Sequence, residues 1–232
     1  MRLLFNLAFH FLRLLCILVF MHSKVTGLFL SLAGAALNLA LNRVTFAYDL
    51  PLHMDTVLTV SVTLAAGLFW GVVCGALTSI IYFTIWFRGW EAYLFTLCNI
   101  ATAFITWLFI RAFPRELSFR QTAPPALLKS SRLNLAIGRI VVLMLLSFAL
   151  CLAVSILGGF LAALILGFYT PPTGVLGISG KLSDTLFTYD SPLILVEIVS
   201  RIPINIIDRL IAALGGYGIA LVLRGLAGRT GE

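Results

Sequence analysis

Residues 56–87 form a run of 32 residues that carries no charge. A helix crossing the hydrocarbon core of a bilayer needs about 20 residues, so the run is too long for one untilted span. It makes two short spans if the chain turns near residues 67–70. A second charge-free stretch extends from Arg139 to Lys181. Across the chain 61% of residues are apolar, only 11% are charged, and the mean hydropathy is +1.08. Soluble domains are roughly 45–50% apolar and about 25% charged. Too little polar surface is present to enclose a water-soluble globule. The composition excludes a soluble domain, a disordered chain and a disulfide scaffold, and predicts an all-α polytopic membrane protein.

The placement of charge fixes the expected span number. Arg111, Arg115, Arg120, Lys129, Arg132 and Arg139 face one acid, Glu116, in the polar stretch 111–139. Pro114, Pro124 and Pro125 interrupt helix there. By the positive-inside rule this is a cytoplasmic basic linker. Lys24, before the first apolar run, belongs on the same side, so an even number of spans must separate the two. Spans at 25–41, 54–68, 70–87 and 90–110 satisfy this, which makes a hairpin within 56–87 obligatory. A long fifth span at 140–168, with a bend at Gly158–Gly159, and a sixth at 193–223 follow. Residues 25–228 thus read as a six-span membrane domain with both ends cytoplasmic. Eleven basic residues then lie inside and three (Arg43, Arg88, Lys181) outside. The net charge of +7 describes orientation, and no basic patch for nucleic acid lies outside the apolar sequence.

In residues 1–24, Arg2, Asn6, His10 and Arg13 share one helical face, with Leu, Phe and Ile on the others. This is the pattern of an amphipathic helix in the membrane interface, with a seventh span as the alternative. Cys16, Cys74, Cys98 and Cys151 all sit in apolar runs without a CxxC pair, so neither a metal site nor a disulfide frame is suggested, and no cofactor is expected.

Several motifs point to packing or binding. Gly67, Gly71 and Gly75 form GxxxGxxxG, which lets a neighbouring helix approach closely. Ala36 and Ala40 form a milder small-residue face on the first span. In the last span Glu197, Arg201, Asn205 and Asp208 share a face, with Arg209 following; ionisable groups within a span are costly and usually face the bundle interior. A mutually neutralising Glu197–Arg201 pair is an equally good reading of that spacing. Pro203 removes a helix donor beside this face and is expected to kink it. Trp86, Trp90 and Glu91 collect at the outer end of the third and fourth spans, as interfacial anchors or as ligand-stacking groups, and Asn99 lies two turns below Glu91. GISG at 177–180 resembles the serine motif of rhomboid proteases, but every histidine lies upstream of it, so no general base follows. No P-loop or HExxH occurs, and no enzymatic activity is expected.

Residues 50–81, LPLHMDTVLTVSVTLAAGLFWGVVCGALTSII, are similar to a segment of the substrate-binding components of energy-coupling factor (ECF) vitamin transporters. The matching positions are Pro51, Asp55, Thr56, Gly67, Gly71, Gly75, Leu77 and Thr78. Ala36 and Ala40 resemble the alanine motif by which such components dock onto a transmembrane coupling subunit. Pro203, Asp208 and Arg209 resemble the Pro and Asp-Lys/Arg pair of the closing helix in several members. The resemblance spans about residues 25–226.

The resemblance implies a non-catalytic specificity subunit in the cell (plasma) membrane. Such a subunit binds a vitamin or related nutrient beneath external loops one, three and five, and partners with a coupling subunit and two ATPase subunits. The expected ligand contacts are Trp86, Trp90, Glu91, Asn99, Glu197, Arg201 and Asn205, with aromatic rings stacking on a planar heterocycle. The alternative is a membrane-embedded sensor or interaction module, motivated by the basic linker and the absence of a motor. A stand-alone secondary transporter is disfavoured by the lack of an inverted repeat.

Overall fold

A computed structural model describes residues 23–86, 89–117, 129–168 and 192–229. The described residues form helices α1 (Ser23–Ala47), α2 (Val57–Ala66), α3 (Leu68–Trp86), α4 (Thr96–Ala112), the one-turn α5 (Pro114–Leu117), α6 (Lys129–Phe168) and α7 (Leu193–Arg229). A 3-10 helix, Trp90–Phe95, leads into α4. The protein is an all-α polytopic membrane protein. Among the described residues five segments are long and apolar enough to cross a membrane: Lys24–Ala47, Leu68–Trp86, Trp90–Ala112, Leu133–Leu166 and Leu193–Arg224. The sixth, α2, has ten residues. At 1.5 Å per residue it reaches about 15 Å, half of a hydrocarbon core about 30 Å thick.

The α2–α3 hairpin turns on a single residue. Gly67 adopts φ 94°, a conformation that L side chains rarely tolerate, and its N–H closes α2 on Thr63 O at 3.0 Å. The two helices then run antiparallel in tight register. A Cβ on Gly71 would collide with the Thr63 hydroxyl, and one on Gly75 would lie 3.2 Å from Thr59 Cγ2 and 3.1 Å from the Asn99 carbonyl. The three glycines therefore divide their work: Gly67 makes the turn, while Gly71 and Gly75 admit a threonine-bearing helix and the backbone of α4.

Val57 through Leu64 of α2 are all buried. This short helix is the centre of the bundle, packed among α1, α3, α4 and α7, and α6 pairs most extensively with α7. The outside is apolar. On α6, Ile137, Val141, Met144, Phe148, Leu152, Ile156, Phe160 and Leu164 are exposed at three- and four-residue spacing, a stripe suited to lipid. Polar side chains lie inside, among them Ser31, Asn38, Thr59, Asn99, Glu197, Asp208 and Arg209.

Several boundaries differ from those read in the sequence. The flanks of the expected linker 111–139 are helical: Arg111 ends α4, Arg139 lies inside α6, and α6 begins at Lys129. Pro114 is accommodated as the first residue of α5, where no N–H is required. Gly158–Gly159 does not interrupt α6. Gly159 is instead a contact point, since a Cβ there would come 2.7 Å from the backbone of Ile198 on α7. α7 likewise continues through Pro203, whose ring faces outward. The interfacial helix expected in 1–22 and the loop 169–191 lie outside the described residues.

Candidate functional site

The centre of the molecule is a polar cluster at the N-terminal end of α2. The segment entering α2 passes through Met54, which takes a positive φ of 47°, uncommon for a residue with a side chain. Its N–H donates to Asp208 Oδ1 at 2.7 Å. Arg209, the next residue on α7, donates from Nη1 to the Thr56 hydroxyl, while its Nη2 lies 3.2 Å from Asp208 Oδ2 and 3.9 Å from Asp55 Oδ1. Asn99 of α4 donates from Nδ2 to Asp55 Oδ2 at 3.2 Å and to Ser79 Oγ of α3 at 2.7 Å. Residues from α3, α4, α7 and the α2 entry segment thus share one network. Asp208 is 0% exposed and Arg209 3%, whereas Asp55 keeps 29% of its side chain open.

α1 closes the other side. Asn38 Oδ1 accepts the N–H of Leu58 at 2.9 Å, and its Nδ2 reaches Thr59 Oγ1 at 3.2 Å and Thr78 Oγ1 at 3.3 Å. One amide therefore joins α1, α2 and α3. Asn42 holds His53 O at 2.7 Å. At the far end of α2, Arg224 of α7 donates to the carbonyls of Leu64 and Ala65 at 3.2 and 3.1 Å. α7 thus sets the Asp208–Arg209 pair at the N-terminal end of α2 and a guanidinium at its C-terminal end, where the helix dipole favours a cation.

A second grouping lies further along α7. Glu197 and Arg201 pair at 3.2 Å, with Glu197 only 1% exposed. The Arg201 guanidinium lies 5.6 Å from the Phe95 ring centroid. Gly158 packs beside it: a Cβ there would make ordinary contact, 3.7 Å from both Arg201 Cδ and Cys98 Sγ. Asn205 donates to Ser155 Oγ of α6 at 2.9 Å and so acts as an interhelical strut. At the rim, Trp86 is 37% exposed and stacks with Tyr82 at 5.3 Å, and the Arg43 guanidinium sits 4.8 Å over its ring. Trp90 is 60% exposed and Glu91 is half-buried on the 3-10 helix.

The seven residues expected to form one binding site therefore fall into separate groupings. Asn99 joins the Asp55 network, Glu197 pairs with Arg201, whose guanidinium lies by Phe95, Asn205 braces α6, and Trp86, Trp90 and the half-buried Glu91 stand at the rim. Asp55, Asp208 and Arg209 were not among the expected contacts, yet they form the centre. Asp208 announces itself by sharing the helical face of Glu197, Arg201 and Asn205. Asp55 stands at the outer start of the expected span 54–68 and among the positions that carry the resemblance, but nothing in its spacing marks it as a contact of the last span. Ala36 and Ala40 are exposed on α1, on the side away from the fully buried Asn38. Among the described residues no group of three or more His, Cys, Asp or Glu is placed to hold a metal ion.

No protein-family model matches the chain, and neither a curated protein nor a solved structure matches it.

Proposed function

We propose that this protein is the substrate-specificity subunit of an ECF-type importer, binding a vitamin or related small nutrient from outside for uptake driven by partner ATPases. One observation carries the reading. The fragments on which the resemblance rests meet around the start of α2. Asp55 and Thr56 from the first fragment contact Arg209 of the last, and Gly75 admits both Thr59 and Asn99. A convergent set of polar groups in an otherwise apolar bundle is what orients a small ligand. The exposed Ala36 and Ala40 suit the close approach of a helix from a coupling subunit.

The same reading assigns orientation. Lys24, Arg111, Arg115, Arg139 and Arg224 gather at the Gly67 end of the bundle, while Asp49, Asp55 and Glu91 lie at the other. The basic end is cytoplasmic in the plasma membrane, both termini are inside, and the Asp55 cluster opens outward. The chain itself performs no hydrolysis.

Mass spectrometry of organic ligand retained by the purified protein, with affinity capture from native membranes, tests this. A retained vitamin together with a coupling protein and an ATPase pair supports it. Recovery of a kinase or regulator, with no binding across a panel of B vitamins and precursors, overturns it in favour of a sensor module.

A further inference from the structure

We infer that the ligand taken by the Asp55 cluster carries a positively charged, N–H-bearing nitrogen, as in a protonated amine, an amidine or an aminated cationic heterocycle. The inference rests on the importer reading and names its substrate class.

Charge is the first reason. Asp55 and Asp208 close on one guanidinium, that of Arg209, at 3.9 and 3.2 Å. Thr56, Ser79 and Asn99, the other members, are neutral. The adjacent Glu197–Arg201 pair is balanced on its own. Asp208 and Arg209 neutralise each other in the buried part, so the cluster carries one negative charge more than it neutralises, and that excess sits on Asp55 at its open edge. Arg43 is exposed on the rim, where solvent screens it.

Hydrogen bonding is the second. Asp208 Oδ2 is taken up by its ion pair with Arg209 at 3.2 Å, whereas Asp55 Oδ1 stands 3.9 Å from the same guanidinium and accepts no hydrogen bond among the described residues. An enclosed acceptor without a donor costs free energy. A charged N–H group supplies the missing donor at Asp55 and the missing charge together. Arg209 Nε, also enclosed without an acceptor, is met by water or by an acceptor on the same ligand.

The approach is the third. Asp55 is the open edge of the cluster, and Tyr82 lies within electrostatic reach of both Asp55 and Arg43. Tyr82 stacks on Trp86, whose face already carries the Arg43 guanidinium. This rim has an aromatic surface of the kind that attracts cations.

The test uses the full-length protein in detergent or nanodiscs. Mass spectrometry identifies the ligand retained by the wild type. Thermal-shift titrations then compare pyridoxamine and benzamidine as cations with a charged N–H group, thiamine as a cation whose charged nitrogen carries no N–H, riboflavin as a neutral ring system, and biotin and pantothenate as anions. The expected result is a cationic retained ligand, or tightest binding by a probe with a charged N–H group. Binding should weaken at least tenfold in Asp55→Asn and recover partly in Asp55→Glu. A neutral or anionic ligand overturns the inference; so does unchanged affinity in folded Asp55→Asn. If that variant does not fold, the charge of the ligand retained by the wild type decides. Absence of any retained or bound organic ligand removes the importer reading as well, whereas a neutral or anionic ligand removes this inference alone.

Discussion

The carboxylate of Asp208 holds the main-chain N–H of Met54 at 2.7 Å across 154 residues of sequence. The bond fixes the backbone just where it leaves the helical region and before it begins α2. It also places Asp208 beside Arg209, so that the pair on α7 reaches the start of α2 as a unit. Removing either member changes both the charge balance and the entry of the chain into the bundle.

Asp208→Ala should therefore be severe. It leaves Arg209 buried beside a half-open Asp55 and the Met54 N–H without its acceptor. Loss of one partner from a buried ion pair costs about 3–5 kcal/mol. Asp208→Asn keeps an acceptor for Met54 and should cost less, about 1–3 kcal/mol. Reversible unfolding in mixed micelles would measure both, and equal losses would contradict the assigned role of the Met54 bond.

The glycines of α3 and α7 should respond in opposite ways. Gly71→Val forces a branched side chain into Thr63 and should open the α2–α3 hairpin, at a cost of about 1–3 kcal/mol or more. Around Gly218 of α7 a Cβ would meet nothing within 4 Å. Gly218→Ala should then stabilise by about 0.5–1 kcal/mol through helix propensity alone. Thermal unfolding of the two variants checks the contrast.

Asn38→Leu should destabilise by about 1–3 kcal/mol, since the Leu58 N–H and two threonine hydroxyls lose a partner in an apolar interior. Asn38→Asp retains the acceptor for Leu58 but adds a charge, and should be no better. Amide hydrogen exchange at Leu58 and Thr59 should rise in both variants before global unfolding changes.

Ala36→Leu and Ala40→Leu alter an exposed face and should leave the unfolding free energy within about 0.5 kcal/mol of wild type. Ligand retention should be unchanged, while co-purification of a coupling subunit should fall sharply. Full recovery of that partner by the double variant would argue against docking through this face.

Much of the architecture is legible from the residues alone. The hairpin follows from a charge-free run too long for one span, and Gly67 is the natural place to turn because it alone there tolerates a positive φ. The buried face of α7 is legible from the spacing of Glu197, Arg201, Asn205 and Asp208. The start of α6 is not: its first turns carry Lys129 and Arg139, and a hydropathy pattern reports where a helix enters lipid, not where it begins. Nor is the partnership of Asp55. Asp55 stands at the outer edge of an expected span, and its contacts come from Asn99 of α4 and Arg209 of α7, which no local pattern reveals. For the same reason Asn99 pairs with Asp55 and Ser79, whereas its helical spacing suggested a place beneath Glu91.

The brevity of α2 has a consequence for how the chain is assembled. At ten residues it is too short to partition into a bilayer as an independent span, so it must be carried in by α3 as one hairpin. The groups that complete it, Asp208 at one end and Arg224 at the other, belong to α7, which follows every other described helix in the chain. Until α7 arrives, the entry segment lacks the acceptor for Met54 and the carbonyls of Leu64 and Ala65 lack their donor, so the centre of the bundle closes only when α7 docks.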